Sequence, residues 1–170
     1  MSTRNAKPPA THTDLAEHLC WSLRGGYAHC GVETAFREVD GGVQGRLLDR
    51  FEHSLWQLLE HLRLCQRDLI DYSVRPDHVS PEHPVGYWPA TPEPPSLVAY
   101  DEALAAYLAD REELCGSIAG GDLLTPFPHA AGPDGEPRTL LRTATIALDH
   151  QAYHIGQAVT LRKALGCWPG

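Results

Sequence analysis

Asp149-His150-Gln151-Ala152-Tyr153-His154-Ile155-Gly156-Gln157 sets two histidines four residues apart inside a strongly helical segment near the end of the chain. On an α-helix such a pair points about 40° apart and is separated by about 6 Å along the axis, so two imidazoles converge on one ion. Stable first-row metal sites usually need a further ligand, and a facing helix must supply it. The segment Glu52-His53-Ser54-Leu55-Trp56-Gln57-Leu58-Leu59-Glu60-His61-Leu62 is amphipathic and offers His61. The competing reading of each histidine is an exposed or singly hydrogen-bonded side chain.

Working outward, apolar positions at helical spacing recur in four stretches. Leu15, Leu19, Leu23 and Tyr27 predict a first helix that Asp14 could cap. Gly25-Gly26 weakens its middle, and the segment resumes to about residue 39 before Gly41-Gly42 ends it. A second helix is expected from about residue 51 to 73, with Leu55, Leu58, Leu59, Leu62, Cys65, Leu69 and Tyr72 on its apolar face, closed by Pro76. A third covers about 96–119, with Leu97, Tyr100, Leu104, Tyr107, Leu108, Leu114 and Ile118 as buried candidates, and Gly120-Gly121 ends it. Thr139 is a candidate N-cap for the last helix, which carries Leu141, Ala144, Leu148, Ile155, Val159 and Leu165 and stops near Gly166.

Between the second and third helices, Pro76, Pro81, Pro84, Pro89, Pro92, Pro94 and Pro95 remove backbone donors too often for a helix. Such a crossover can extend to ~75 Å, against ~30 Å for a 20-residue helix, so the helices it joins can run parallel. Val85, Tyr87 and Trp88 are expected to tack it to the bundle. Residues 122–137, with the turn signal Pro133-Asp134-Gly135, form a second long connection. The expected fold is all-α, a four-helix bundle with long crossover connections. Residues 1–13 read as a mobile lead and 14–170 as one domain.

The two histidine-bearing stretches, in this order and some ninety residues apart, resemble the DinB-like family of small metal-binding helical bundles, over about 14–168 of the chain. Carried over position by position, the resemblance implies metal ligation by His61, His150 and His154. It also implies a divalent metal, zinc or nickel, and a homodimer, to which the apolar positions of the first and third helices would contribute. The S-transferase members of that family use bacillithiol or mycothiol, so a low-molecular-weight thiol and a small-molecule electrophile are the expected partners.

Three neutral imidazoles would leave coordination positions open for chemistry. A zinc-protease helix places a glutamate base directly after the first histidine, but here Gln151 stands there, and a neutral amide cannot accept the proton. Metal-dependent amide hydrolysis and a non-catalytic ligand-binding stress-response module remain as alternatives to transfer. Gln57 and Ser54, one and two turns before His61, and Cys65, one turn after it, are possible pocket residues. Cys65 is also a candidate sulfur ligand, against the prior of a buried unreactive thiol. His53, read as eight residues back on the same helix, falls about 12 Å from His61 and is assigned to the bundle end. Glu60, Asp149 and Gln157 read as outer or surface groups.

A formal charge of −8 and the absence of a basic run exclude tight non-specific nucleic-acid binding. The first residues lack the apolar run of a signal peptide, and no segment approaches the ~20 apolar residues of a membrane span. Five widely spaced cysteines with no Cys-x-x-Cys pair fit a reduced, cytoplasmic protein.

Overall fold

A computed structural model describes residues 15–25, 27–129 and 135–169. Among them the chain is helical and forms no strand: α1 (Leu15–Arg24), α2 (Val32–Phe36), α3 (Gly41–Gln44), α4 (Leu55–Val74), α5 (Ala99–Gly120) and α6 (Leu140–Leu165), with a 3₁₀ turn at Val85–Tyr87. The expected helix cap at Asp14, the 1–13 lead, and Pro133 and Asp134 of the turn signal lie outside the described residues.

Local chemistry explains the helix ends. Ser54 closes a capping box at the start of α4: its hydroxyl accepts from Gln57 N at 3.2 Å, and Gln57 Oε1 accepts from Ser54 N at 3.2 Å. This reciprocal cap starts the helix at Leu55 rather than near residue 51, and it leaves His53 in the preceding loop. Thr139 caps α6 as expected, accepting from Arg142 N at 3.2 Å. Gly166, at φ 74°, ends α6 in the left-handed region that favours glycine.

Three local expectations are corrected. The first helix stops at Arg24 because Gly25 adopts φ 85°, and a Cβ there would meet the Gly31 Cα at 2.5 Å. Tyr27 therefore leaves the helical face and is exposed, its ring edge-on to Trp21. Gly41-Gly42 begins a helical turn instead of ending one, because the Asp40 carboxylate accepts from Gly42 N at 2.8 Å. Leu97 precedes α5 in a turn and is 94% exposed, so it contributes nothing to the core.

Contacts between named residues give the topology. Cys20 on α1 reaches Cys115 O on α5, and Arg24 pairs with Glu112, so these helices are antiparallel. The start of α4 (Leu55, Leu59) shares a cluster with the start of α5 (Tyr100, Leu104) and its later Ile70 another with Leu114 and Ile118, so α4 and α5 run parallel, as the length of the Pro-rich crossover permits. Ser73 of α4 meets Thr143 of α6, and His61 meets His150, which makes that pair antiparallel. The bundle thus runs up-down-down-up in the order α1, α4, α5, α6.

Two apolar clusters fill it. One packs Leu55, Leu59 and Leu62 against Tyr100, Tyr107, Ile155 and the α2 residue Phe36; the other joins Leu23, Ile70, Leu114, Ile118 and Ala144. Arg162, only 1% exposed, ties α2 to α6 through backbone oxygens alone. Its Nη1 donates to Thr34 O, Ala35 O and Arg37 O at 3.0–3.2 Å, and its Nε and Nη2 donate to Cys167 O at 3.2 and 2.8 Å. No helix among the described residues is long and apolar enough to cross a membrane.

Candidate metal centre

The antiparallel packing of α4 on α6 brings His61, His150 and His154 together. His150 Nε2 lies 3.1 Å from His61 Nε2 and 3.1 Å from His154 Nε2. The three rings meet edge-on, with interplanar angles of 66–77° and centroids 4.5–4.9 Å apart. His61 and His154 are nearly buried, at 8% and 5% exposure.

The far side of two of these rings fixes where their protons sit. His61 Nδ1 is 2.8 Å from the Tyr87 carbonyl, which can only accept, so Nδ1 carries the hydrogen and Nε2 keeps its lone pair. His154 Nδ1 likewise donates to Gln157 Oε1 at 2.7 Å. Two lone pairs thus face the third ring across 3.1 Å, and the single proton His150 could carry on Nε2 cannot serve both well. A cation there would take up both lone pairs. Imidazole nitrogens at 2.0–2.1 Å from a tetrahedral ion are ~3.3 Å apart, close to the separations here.

Electrostatics favour the same chemistry. Burial, with a further push from His61, lowers His150 to about 4. Burial and the neighbouring His150 lower His154 to about 4, and burial depresses His61. Neutral imidazoles are the ligating form and suit zinc, nickel, iron and copper alike.

His61, Cys65 and His150 also form a compact donor group, each within 4.8 Å of the others, so either His154 or Cys65 could complete the set. The Cys65 sulfur is 3.7 Å from His61 Nδ1 and 3.8 Å from Nε2, beside the ring and not in front of its Nε2 lone pair. Burial pushes the metal-free Cys65 thiol up to about 12, whereas a coordinated ion would deprotonate it. Cys65 also lines a cavity of about 250 Å³ that opens on His61 and His150 between Leu69, Ile146, Pro84 and Asp68.

The other two pocket candidates have structural roles. Ser54 is fully buried, and its hydroxyl donates to Pro92 O at 2.6 Å in addition to capping α4. Gln57 completes the cap and donates to Pro89 O at 3.3 Å. Both pin the Pro-rich crossover, and neither lines this cavity. Gln151 points into the core, accepting from the Tyr107 hydroxyl at 3.0 Å, so it is turned away from the histidines.

Several residues at the site lay beyond sequence reasoning. Trp88 lies flat on His61, with centroids 3.7 Å apart and planes 4° apart, and its other face stacks on His53 at 3.8 Å and 18°. His53 therefore sits in the loop at the N-terminal end of α4, on the far side of Trp88 from His61. Its stack needs loop geometry that helical spacing does not encode. The Tyr87 carbonyl has no sequence signature at all. Gln157, read from sequence as an outer or surface group, is placed by its three-residue spacing from His154 on a helix to bond that ring.

Residues 5–158 match the profile of the DinB superfamily. No curated protein and no solved structure matches the chain. With a profile spanning most of the 170 residues and a helical bundle that brings the histidines of both diagnostic stretches together, the protein belongs to the DinB superfamily.

Proposed function

We propose that His61, His150 and His154 hold a divalent metal ion, zinc or nickel, through Nε2, and that the protein transfers a low-molecular-weight thiol to a small electrophile. The observation that carries this reading is the pair of 3.1 Å Nε2 contacts at His150, made by two rings whose Nδ1 protons are donated outward. Bound there, the ion would supply a Lewis acid that favours thiolate over thiol near neutral pH.

The protein's own groups orient and enclose. The Tyr87 carbonyl and Gln157 hold two imidazoles in the ligating tautomer. Trp88 fixes the plane of His61 and shields its face from water. Leu69, Ile146 and Pro84 give the adjoining cavity apolar walls, which hold a small substrate beside the donor set and reduce the entropic cost of encounter. In the transfer the thiolate sulfur forms a bond to the electrophilic carbon, the leaving group departs with its bonding electrons, and the thiol proton passes to solvent. Gln151, turned into the core, cannot serve as the base of a protease-like water activation.

The test assays zinc- or nickel-loaded protein with bacillithiol, mycothiol and glutathione against 1-chloro-2,4-dinitrobenzene, beside the His150→Ala variant. The expected result is metal-dependent thioether formation with at least one thiol, lost in the variant. Hydrolysis of an amide substrate with no thiol transfer would replace this reading with a hydrolase. Ligand binding with neither reaction would make the protein a binding module.

A further inference from the structure

The crossover contacts His61 through Tyr87 and Trp88, and one carboxylate on α4 anchors that stretch. Asp68 follows His61 by seven residues, two helical turns, and so shares its face. Its Oδ2 accepts from the Tyr87 hydroxyl at 2.8 Å and its Oδ1 from His78 Nε2 at 2.7 Å. An ionised carboxylate only accepts, so both partners donate. Tyr87 is therefore held twice to α4: its side chain by Asp68, and its carbonyl by the His61 Nδ1 proton at 2.8 Å.

The backbone between these points is stiff. Gly86 N donates to Glu82 O at 2.7 Å and Tyr87 N to Pro84 O at 3.1 Å. A Cβ at Gly86 would meet the Pro81 Cβ at 2.7 Å, so the turn is closely wound. A shift of the Tyr87 phenol is therefore passed to the Tyr87 carbonyl and to the Trp88 ring that covers His61.

From this geometry we infer that Asp68 is a positioning residue for His61, acting through His78, Tyr87 and Trp88 to hold the imidazole as its Nδ1–H tautomer with Nε2 aimed at His150. The inference rests on the metal-centre reading but concerns the protein's own hydrogen bonds, which exist with or without an ion. It also gives the crossover a role beyond joining two parallel helices: it supplies the outer partners of a ligand on α4.

The experiment compares wild type with Asp68→Ala, Asp68→Asn and Tyr87→Phe. Co²⁺ titration followed by visible absorption reads affinity and ligand geometry. Long-range ¹H–¹⁵N correlation of the metal-free imidazoles reads the His61 tautomer. Asp68→Ala should bind Co²⁺ on the order of 10–100-fold more weakly, with an altered visible spectrum, the range typical of lost outer partners. Metal-free, it should lose the Nδ1–H tautomer at His61. Asp68→Asn keeps an oxygen for the Tyr87 hydroxyl and should stay within about threefold of wild type. Tyr87→Phe should weaken binding, and combined with Asp68→Ala should add little, because the two remove one connection.

Ser73→Ala, which breaks the Ser73–Thr143 contact away from the centre, controls for stability alone: it should lower Tm and leave Co²⁺ affinity unchanged. A folded Asp68→Ala protein with wild-type Co²⁺ affinity, spectrum and His61 tautomer would overturn the inference. Should Asp68→Ala not fold, a Tyr87→Phe protein unchanged in all three readouts would overturn it equally. Wild type that takes up no Co²⁺ would remove the metal reading, while the tautomer comparison still decides the role of Asp68.

Discussion

Replacing His150 with alanine is expected to weaken Zn²⁺ binding on the order of 10²–10³-fold, whereas Cys65→Ala should change it by less than about threefold. Structural zinc sites with four ligands bind with roughly 10–16 kcal/mol, so each ligand supplies about 2.5–4 kcal/mol. His150 is the centre of the cluster, since both 3.1 Å Nε2 contacts end on it, and its loss leaves His61 and His154 as an incomplete pair. The Cys65 sulfur lies almost equidistant from the two His61 nitrogens, off the axis of the Nε2 lone pair, so little is expected to be lost with it. Competition against a chromophoric chelator measures both variants. A larger loss for Cys65→Ala than for His154→Ala would assign the third ligand to sulfur.

The second large effect concerns the fold. Arg162→Met should destabilise the protein by about 3–5 kcal/mol, a large share of the ~5–15 kcal/mol that holds a domain of this size together. Among the described residues the buried guanidinium has no carboxylate partner, and the oxygens of Thr34, Ala35, Arg37 and Cys167 accept from its donors. Methionine fills similar volume but leaves those acceptors unsatisfied, each at a cost of about 1–3 kcal/mol before water relieves part of it. Arg162→Lys keeps the charge without the planar fork and should fall between the two. Urea denaturation should show a lower midpoint at an unchanged slope. A Met variant within about 0.5 kcal/mol of wild type would show that these bonds contribute nothing net.

The helices and the meeting of three histidines were legible because helical periodicity turns sequence spacing directly into direction. Leu55, Leu58, Leu59 and Leu62 are buried at the expected face of α4, and the i, i+4 pair of α6 converges on His61. Ser54 and Gln57 show the limit of that reasoning. Their positions near His61 suggested a pocket, yet a serine followed three residues later by glutamine is also the signature of a capping box, and the cap took both. Leu97 was misplaced because hydrophobicity alone does not say that Pro94-Pro95 delays the start of α5.

What stayed illegible belongs to the crossover. Its prolines identify it as non-helical but say nothing of where it lands, and landing is what puts the Tyr87 carbonyl on His61 and Trp88 between His61 and His53. Asp68 carried a usable signal, since it shares the His61 face two turns on. Its partners, His78 and Tyr87, are joined to it only by the path of the loop.

X-ray absorption at the metal K-edge of the zinc-loaded protein tests the central claim most directly. The expected first shell holds three imidazole nitrogens at about 2.0–2.1 Å with the remaining positions filled by oxygen, and no sulfur. A sulfur scatterer near 2.3 Å, or fewer than three imidazoles, would contradict a centre built from His61, His150 and His154.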